Sequence, residues 1–309
     1  MTVSLKPLSE QVMVITGASS GIGLATALLA AERGAAVVLT ARSGETLANV
    51  AKQVRAAGGR AIHVVADVAD RGQLQAVADE AIGTFGRIDT WVNDAGVSIY
   101  GRLDEVAEDD SRRLFDVNFW GIVNGSLITL PYLKRSGGAL INVGSEVSDA
   151  FIPLQGMYSA SKHAVKGFTD ALRVEVLEID KAPVSITLIQ PTAVDTPCPQ
   201  HARNYMSEEP KLPSPQIDLR RVAEAILDAA THPRRAVKVG AVSKINTFVA
   251  KFAPRLADKI SARQLERQQY DEPPRDPEGT LYKPGEEGRV TGRGGAVTGN
   301  GQPRSSPSR

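Results

Sequence analysis

The chain has 309 residues, enough to bury a substantial core, and its 36 lysines and arginines nearly balance 35 aspartates and glutamates, for a net charge of +1. This balance provides no electrostatic attraction to nucleic acid, and the single cysteine, Cys198, excludes an intramolecular disulfide and fits a reducing compartment. No signal-peptide pattern and no apolar run of the ~18 residues that span a bilayer is found, so we expect a soluble, cytoplasmic protein.

Short apolar runs alternate with helical stretches along the first 241 residues. The runs predicted as strands are VMVIT, AAVVLTA, AIHVVADV, IDTWVNDAG, GALINVGS, VSITLIQP and RAVKVG. The stretches predicted as helices are LATALLAAERG, ended by Gly34, and residues 44–57, 71–85, 104–135, 158–180 and 218–231. Such alternation is typical of a parallel sheet covered on both faces. The sequence therefore predicts an α/β fold, a Rossmann-type doubly wound parallel sheet of about seven strands, in one domain over residues 1–241.

The composition changes after residue 241. Residues 242–272 are predicted as a basic helical extension, and residues 273–309 as a disordered tail, because residues 284–309 hold seven glycines, three prolines and three serines. Residues 244–263 place apolar side chains on one helical face: Ile245, Phe248, Val249, Phe252, Leu256 and Ile260. This face could lie on a membrane, cover a pocket or pack on a neighbouring subunit, and we favour the last two because Pro254 kinks the helix.

A glycine-rich loop, TGASSGIG, follows the first strand directly and opens the first helix. In this context Gly17 permits a tight turn, Gly21 lets the backbone approach a pyrophosphate, and Gly23 lets helix and strand pack closely. The free N–H groups at the helix start attract phosphates. The loop predicts a dinucleotide site that also includes Ser19, Ser20 and Ile22; the alternative is a turn of small residues without a ligand.

The second strand ends in LTARSG, with Arg42 where an acidic residue would bind the adenosine ribose of NAD. An arginine there suits a 2′-phosphate, so NADP is favoured while NAD stays possible; the alternative is a solvated loop arginine. Asp67 ends the third strand, placed to accept a hydrogen bond from the adenine amino group or to cap the next helix.

An ordered set of motifs joins the glycine loop: NDAG at 93–96, Asn118 in DVNFWG, Ser145 in INVGS and YSASK at 158–162. Together they resemble the short-chain dehydrogenases/reductases over roughly residues 8–240. Asp94 stands where that family usually has asparagine, which adds a possible charge on the adenine side of the site. Thr192 stands where the family usually has glycine. The family's DGG-like ending is absent, which puts a ketoacyl-carrier substrate in doubt.

The resemblance implies a catalytic set of Asn118, Ser145, Tyr158 and Lys162. Residues four apart share a helix face, so Lys162 is expected beneath the Tyr158 phenol, near the nicotinamide ribose, where its charge would lower the phenol pKa by up to about three units. Ser145 would bind the substrate oxygen or merely cap a strand end. Asn118 would hold a proton-relaying water or serve as buried polar structure.

By the same resemblance, the cofactor would contact Val68, Asn93, Ala95, Gly96, Pro191, Val194 and Thr196 besides Tyr158 and Lys162; Thr196 could instead cap a turn. The sequence thus predicts an NADP-preferring oxidoreductase that interconverts an alcohol and a carbonyl compound, with no metal. The alternative is a catalytically silent NAD(P)-binding regulator. The family habit implies a homodimer or homotetramer.

A long, proline-rich stretch, residues 193–217, suits a lid over the active site. An apolar wall for a small-molecule substrate is predicted from Phe151, Ile152, Leu154, Met157 and Tyr205, with ordinary core packing as the alternative. His201 and Arg203 could meet an anionic substrate, although we expect them to face solvent.

Overall fold

The computed structural model describes residues 3–285, 288 and 290–292, apart from the side chains of residues 242–244 and 266. The strands are Val12–Thr16 (β1), Ala36–Ala41 (β2), Arg60–Val65 (β3), Thr90–Asn93 (β4), Ile99–Tyr100 (β5), Gly138–Val143 (β6), Val184–Pro191 (β7), Arg203–Asn204 (β8) and Ala236–Val239 (β9). The helices are Gly21–Glu32 (α1), Gly44–Ala56 (α2), Arg71–Phe85 (α3), Glu108–Phe115 (α4), Gly121–Ser136 (α5), Gly156–Val174 (α6), Cys198–His201 (α7), Leu219–Thr231 (α8), Ala241–Phe252 (α9) and Pro254–Arg263 (α10).

Seven parallel strands form the main sheet in the order β3-β2-β1-β4-β6-β7-β9, and β5 pairs with β8 separately. The predicted doubly wound sheet is therefore confirmed. The strand order reverses between β1 and β4, which is where ligands bind in open sheets of this type.

Alternate residues of each strand face opposite layers of helices. Along β1, Met13 and Ile15 are buried in one apolar cluster, whereas Val12 and Val14 are buried in the other. The first cluster contains side chains of α1, α2 and α8, and the second contains side chains of α3, α5 and α6. Helices thus bury both faces of the sheet in apolar clusters, which explains why its strands are apolar throughout.

Two short π-helical turns interrupt the helices, Asp116–Trp120 between α4 and α5 and Glu175–Ile179 after α6. The first carries Asn118, which is fully buried. Such π turns are often found at functional sites because they shift the side chains that follow them.

The predicted helical extension comprises α9 and α10, and Pro254 separates them as the sequence suggests. Several of its apolar side chains are more than half exposed: Ile245, Phe248, Phe252 and Leu256. None of the described helices is long and apolar enough to cross a membrane.

The predicted tail, residues 273–309, lies partly outside the described residues. Its described part differs from the expectation of disorder, because residues 276–285 lie against the domain. Leu281 is fully buried, and its neighbour Thr280 donates its N–H to the carbonyl of His201 at 2.8 Å. The glycine-rich composition behind that expectation begins only after Leu281, at residue 284.

A glycine in α5 allows this helix to lie close to β4. A Cβ on Gly125 would overlap the side-chain amide of Asn93 and stand 2.8 Å from the indole nitrogen of Trp91. That amide accepts from Trp91 Nε1 at 2.8 Å and donates to Asn142 Oδ1 at 2.9 Å, so these groups have little room to move.

We therefore expect Gly125→Ala to lower the free energy of unfolding by about 1–3 kcal/mol, the usual cost of overpacking. Gly83→Ala is the matched control, since Gly83 also lies within a helix but nothing stands within 4 Å of its added Cβ. The control should gain roughly 0.5–1 kcal/mol from helix propensity. Urea unfolding measures both, and equal stability of the two variants would contradict the packing argument.

Candidate active site

A cleft of about 270 Å³ opens at the carboxyl ends of β1, β4, β6 and β7. It contains most of the residues predicted to bind a cofactor: Gly17, Ser19, Ser20, Gly21, Ile22, Arg42, Asp67, Val68, Ala95, Gly96, Tyr158, Lys162, Pro191, Val194 and Thr196. Ser145 lines it as well. Asn93 lies behind the cleft wall, where its side chain belongs to the buried amide network of β4 and β6. The structure therefore brings the predicted residues together, with Asn93 in a supporting position.

The glycine loop has the conformation that its sequence predicts. Gly17 has a φ of +72° and Gly21 a φ of +53°, values that side chains with a Cβ rarely adopt. A Cβ on Gly17 would lie 2.9 Å from the backbone nitrogen of Ala95, and one on Gly23 would overlap the carbonyl group of Gly17. Ser20 precedes α1 without a side-chain hydrogen bond to the helix start. The N–H of Gly23 donates to the Asp94 carboxylate, so the N–H groups of Gly21 and Ile22 are the ones that can meet an anion at this helix start.

Tyr158 and Lys162 lie one turn apart on α6. The Lys162 ammonium is 5.6 Å from the centroid of the Tyr158 ring and donates to the carbonyl of Val143 at 2.9 Å. The Tyr158 phenol is hydrogen-bonded to the hydroxyl of Ser145. The helix and the end of β6 thus place the three side chains around one point of the cleft.

Ser145 combines the two roles that the sequence left open. Its hydroxyl accepts from the N–H of Val147 at 3.3 Å, which caps the short turn Glu146–Ser148. It also contacts the phenol of Tyr158. The cap fixes the hydroxyl in the cleft, so the structural role supports the chemical one.

The Asn118 side chain is held inside the protein. Its carbonyl oxygen accepts from Val97 N at 2.8 Å, and its amide donates to Val97 O at 2.9 Å and to Ser161 Oγ at 3.2 Å. A Cβ on Gly96 would stand 3.4 Å from Asn118 Oδ1 and 3.8 Å from Lys162 Nζ, so amide and ammonium flank the same small space.

The pKa of Tyr158 differs from the expectation. Burial of the phenol raises its pKa well above the ordinary value, the charges of Cys198, Asp94 and Glu146 act in the same direction, and the hydrogen bond with Ser145 opposes them. Burial also lowers the pKa of Lys162. The phenol pKa is therefore raised, and not lowered as expected from Lys162, because burial disfavours the phenolate.

Asp94 lies closer to the catalytic groups than the sequence suggested. Its carboxylate accepts from the N–H of Gly23 and is attracted to Lys162, whereas the sequence placed this charge near the adenine. Burial raises the pKa of Asp94 to about 7, against the effects of Lys162 and the hydrogen bond.

The structure argues against two alternative roles at the adenosine end, the helix cap for Asp67 and the solvated loop for Arg42. Asp67 does not cap α3, since Asp70 accepts from Gly72 N at 2.8 Å and from Gln73 N at 3.1 Å in that position. Asp67 instead forms an ion pair with Arg113. Arg42 is not a solvated loop arginine either: it is half-buried and hydrogen-bonds the main chain near residue 281.

Sequence reasoning missed Glu146 and Arg113. Glu146 lines the cleft beside Ser145 and accepts from Thr192 Oγ1 at 3.1 Å and Asn246 Nδ2 at 3.2 Å, so it joins the loop after β7 to α9. In the sequence, a role for Glu146 in the cleft is indicated only by its place directly after Ser145. No such indication exists for Arg113, because its partner Asp67 is 46 residues away.

The predicted lid and apolar wall are only partly at the cleft. Among the five wall residues, all of them described, Ile152 lines the cleft, whereas Met157 and Tyr205 pack against the core. From the lid, His201 lines the cleft beside a short group of further residues: Thr196, Pro197, Cys198, Leu212 and Pro213. Arg203 forms ion pairs with Asp110, at 2.9 Å, and Glu278.

The chain is similar to known proteins over most of its length. The sequence profile of the family described as short chain dehydrogenase matches residues 11–206. YxnA of Bacillus subtilis (strain 168), an uncharacterized oxidoreductase, is 43% identical over 288 residues, or 92% of this chain and 81% of that protein. A short chain dehydrogenase/reductase from Burkholderia phymatum in complex with NAD has a TM-score of 0.70 and 28% identity, covering 88% of this chain and 99% of that one. An alcohol dehydrogenase from Thermococcus sibiricus complexed with 5-hydroxy-NADP has a TM-score of 0.64 and 28% identity, covering 74% and 94%.

The raised pKa of Asp94 predicts a pH-dependent stability. The Asp94 carboxyl has its ordinary pKa of 3.8 in the unfolded chain and a pKa of about 7 in the folded one. The unfolded chain therefore loses this proton first, and the free energy of unfolding falls as pH rises from 3.8 to about 7. Above pH 7 this loss of stability is complete. Asp94→Asn removes this loss. Each pKa unit corresponds to about 1.4 kcal/mol, and the pKa of about 7 already includes the attraction to Lys162, so the rise from 3.8 to about 7 predicts a gain of about 2–4 kcal/mol at pH 8.

The gain should shrink as pH falls towards 4 and vanish below the ordinary pKa of 3.8, where both states hold the proton. Chemical unfolding at several pH values measures it. The exposed Asp109→Asn makes the same charge change and should show no such trend. A gain that is the same at pH 4.5 and pH 8 would refute the titration of Asp94 as its cause.

Proposed function

The chain belongs to the short-chain dehydrogenase family and is an oxidoreductase that acts on CH–OH groups with a nicotinamide cofactor; from this premise we propose that it prefers NADP and uses Tyr158 as its acid and base. The observation that carries the proposal is the convergence of the Tyr158 phenol, the Ser145 hydroxyl and the Lys162 ammonium at the cleft. Their presence together favours turnover over cofactor binding alone.

The residues of the cleft fit a dinucleotide. Gly21 has a positive φ and no Cβ on the side of Thr196 and Pro197, which line the cleft, and this leaves its backbone open to a pyrophosphate beside the start of α1. Gly17, also at positive φ, lets the loop pack closely on Ala95. When bound, the cofactor accepts or supplies the hydride. The B. phymatum relative is in complex with NAD and the T. sibiricus enzyme with 5-hydroxy-NADP. Because this fold accommodates both NAD and an NADP derivative, a preference of this chain for NADP over NAD depends on its own residues at the adenosine end.

Arg42 supports NADP. A guanidinium at the end of β2 can bind a 2′-phosphate through charge-assisted hydrogen bonds, whereas the ribose hydroxyls of NAD would favour a carboxylate at that position. Asp67 does not supply such a carboxylate, since Arg113 already neutralises it.

The chemistry follows from three side chains. Tyr158 donates its proton to the carbonyl oxygen during reduction and accepts it from the alcohol during oxidation. Ser145 hydrogen-bonds the same oxygen and stabilises the negative charge that develops there. Lys162 holds a positive charge below the phenol, and Asn118 lies where a relaying water could reach the ammonium. Burial keeps Tyr158 protonated in this structure, and the protonated phenol is the form that donates.

The substrate end of the cleft suits a mid-sized apolar carbonyl compound. Its apolar lining residues include Val147, Ile152, Leu212 and Pro213, and the polar side chains of Glu146, Gln155 and His201 line the cleft as well. We also propose a cytoplasmic homodimer or homotetramer, because α9 and α10 expose apolar side chains such as Phe248 and Phe252 that contact with another copy would cover.

Tyr158→Phe tests the catalytic assignment. Removing the phenol hydroxyl should lower kcat by about 100-fold or more, the usual contribution of a positioned acid or base. The Kd for NADPH should change by less than about twofold, since the ring remains. The assay follows nicotinamide absorbance over a panel of aldehydes, ketones and quinones.

Tyr132→Phe is the control, because this tyrosine lies on α5 outside the cleft. Wild-type protein that binds NADPH tightly but oxidises it with no member of the panel would point to the binding regulator instead. Full activity of Tyr158→Phe would overturn the role of the phenol.

Arg42→Ala tests the cofactor preference. Loss of charged hydrogen bonds to a phosphate, each worth about 1.5–3 kcal/mol, should reduce the ratio of NADPH to NADH affinity at least tenfold. Fluorescence titration with both cofactors measures the ratio. The exposed Arg33→Ala should leave it unchanged, and an unchanged ratio in Arg42→Ala would remove the argument for NADP.

A further inference from the structure

Residues 276–285 form a strap that runs across the adenosine end of the cleft. Three of its residues line the cleft itself: Thr280, Pro284 and Gly285. The strap also fills part of the protein interior, because Leu281 is fully buried in the apolar cluster that contains Val68, Leu114 and Val117. Val68 and Val117 also line the cleft, so the cluster that buries Leu281 forms part of the cleft wall.

The strap is held in place from both sides. On the side of the lid, Asn204 N donates to Pro277 O at 2.9 Å and Thr280 N to His201 O at 2.8 Å. On the side of α4, the hydroxyl of Tyr282 donates to Asp110 Oδ1 at 2.8 Å. These contacts fix the direction in which its carbonyl groups point.

Two guanidinium groups converge on one carbonyl oxygen of the strap. Arg42 donates to Leu281 O at 3.1 Å, and Arg113 donates to the same oxygen at 3.3 Å. Arg42 also donates to Thr280 O. Arg113 is paired with Asp67 in addition. Arg42 and Asp67 are the two residues expected to contact the adenosine moiety. In this structure Arg42 is hydrogen-bonded to the strap, and Asp67 is paired with Arg113, which is also hydrogen-bonded to the strap.

A neutral carbonyl is a weak counterpart for two cations. Burial lowers the pKa of Arg42, Asp67 opposes this effect, and the neighbouring Arg113 lowers the pKa further. Within the described part of the chain, Asp67 is the carboxylate that forms an ion pair with this pair of arginines, through Arg113. A phosphate would bring up to two negative charges and three acceptor oxygens, and hydrogen bonds between charged groups are roughly twice as strong as those to a neutral acceptor.

We propose that Arg42 and Arg113 together bind the 2′-phosphate of NADP, and that the strap is an internal competitor whose Leu281 carbonyl occupies the place of a phosphate oxygen. This inference rests on the proposed preference for NADP. Cofactor binding displaces residues 280–282 from the cleft, so the observed affinity equals the affinity of the open form multiplied by the fraction of molecules in which the strap is open.

Hydrogen exchange of the full chain measures the displacement directly. Saturating adenosine 2′,5′-bisphosphate should increase amide exchange in residues 276–285, and the effect should exceed that of adenosine 5′-monophosphate. The N–H of Thr280 is the best reporter, since its hydrogen bond to His201 would open. Unchanged or slower exchange of the strap would overturn the competition.

Loosening the strap should tighten binding. Leu281→Ala removes its buried anchor, and we expect the Kd for adenosine 2′,5′-bisphosphate to fall at least threefold in calorimetric titration. Tyr282→Phe removes one peripheral hydrogen bond, leaves the core unchanged and should act in the same direction if Leu281→Ala fails to fold. Weaker or equal binding in a folded strap variant would mean that the strap builds the site or has no part in it.

A pair of neighbouring variants tests Arg113. Arg113→Ala should reduce at least fivefold the ratio of affinities for adenosine 2′,5′-bisphosphate and adenosine 5′-monophosphate, because the phosphate contact is lost. Arg112→Ala, the control on the same helix, pairs with the exposed Glu108 at 2.6 Å and should leave this ratio unchanged. Equal ratios in wild type and Arg113→Ala would refute the second phosphate ligand.

The two proposals fail in different ways. Wild-type protein that binds NADH as tightly as NADPH overturns the cofactor preference, even if the strap opens. A clear preference for NADPH with a strap that stays protected leaves the proposed function standing and overturns the competition.

Discussion

Lys162 carries its charge into the interior, and a buried cation costs several kcal/mol unless other groups compensate it. The compensation comes from separate elements: the carbonyl of Val143 at the end of β6 and the carboxylate of Asp94 after β4. Each can reach the ammonium only if the neighbouring strands end at the same level beside the start of α6. Parallel pairing of β4 and β6 provides this alignment, with Asn93 opposite Asn142. The buried charge and the register of the sheet therefore depend on each other.

The same burial shapes the chemistry of the cleft. A phenol in this environment keeps its proton, because burial disfavours the phenolate and because Asp94 and Glu146 add negative charge nearby. Ser145 works against this tendency through its hydrogen bond. The cap that it forms on the turn Glu146–Ser148 leaves its hydroxyl little freedom, so the group is oriented before a substrate arrives. Asp94 adds a titrating carboxyl where an asparagine side chain would place a neutral amide.

At the adenosine end the important contacts join distant parts of the chain. Arg42 meets Leu281 across 239 residues, and Arg113 meets the same carbonyl across 168. Neither contact has a local signature, because hydrogen bonds from a side chain to a main-chain carbonyl depend on position and hardly on the residue type of the acceptor. The expectation of a disordered tail was based on composition, and composition does not show that one leucine at the start of a polar segment finds an apolar site on the domain.

The sequence by itself determined the doubly wound sheet, the glycine loop and the pair Tyr158 and Lys162, because each depends on a short-range pattern: apolar periodicity, backbone freedom at Gly17 and Gly21, and the pitch of one helix. Tertiary structure alone decided the direction of the Tyr158 pKa, the position of Asp94 beside Lys162 and the partners of Arg42. These properties arise from burial and from contacts between distant residues, and a linear pattern contains neither.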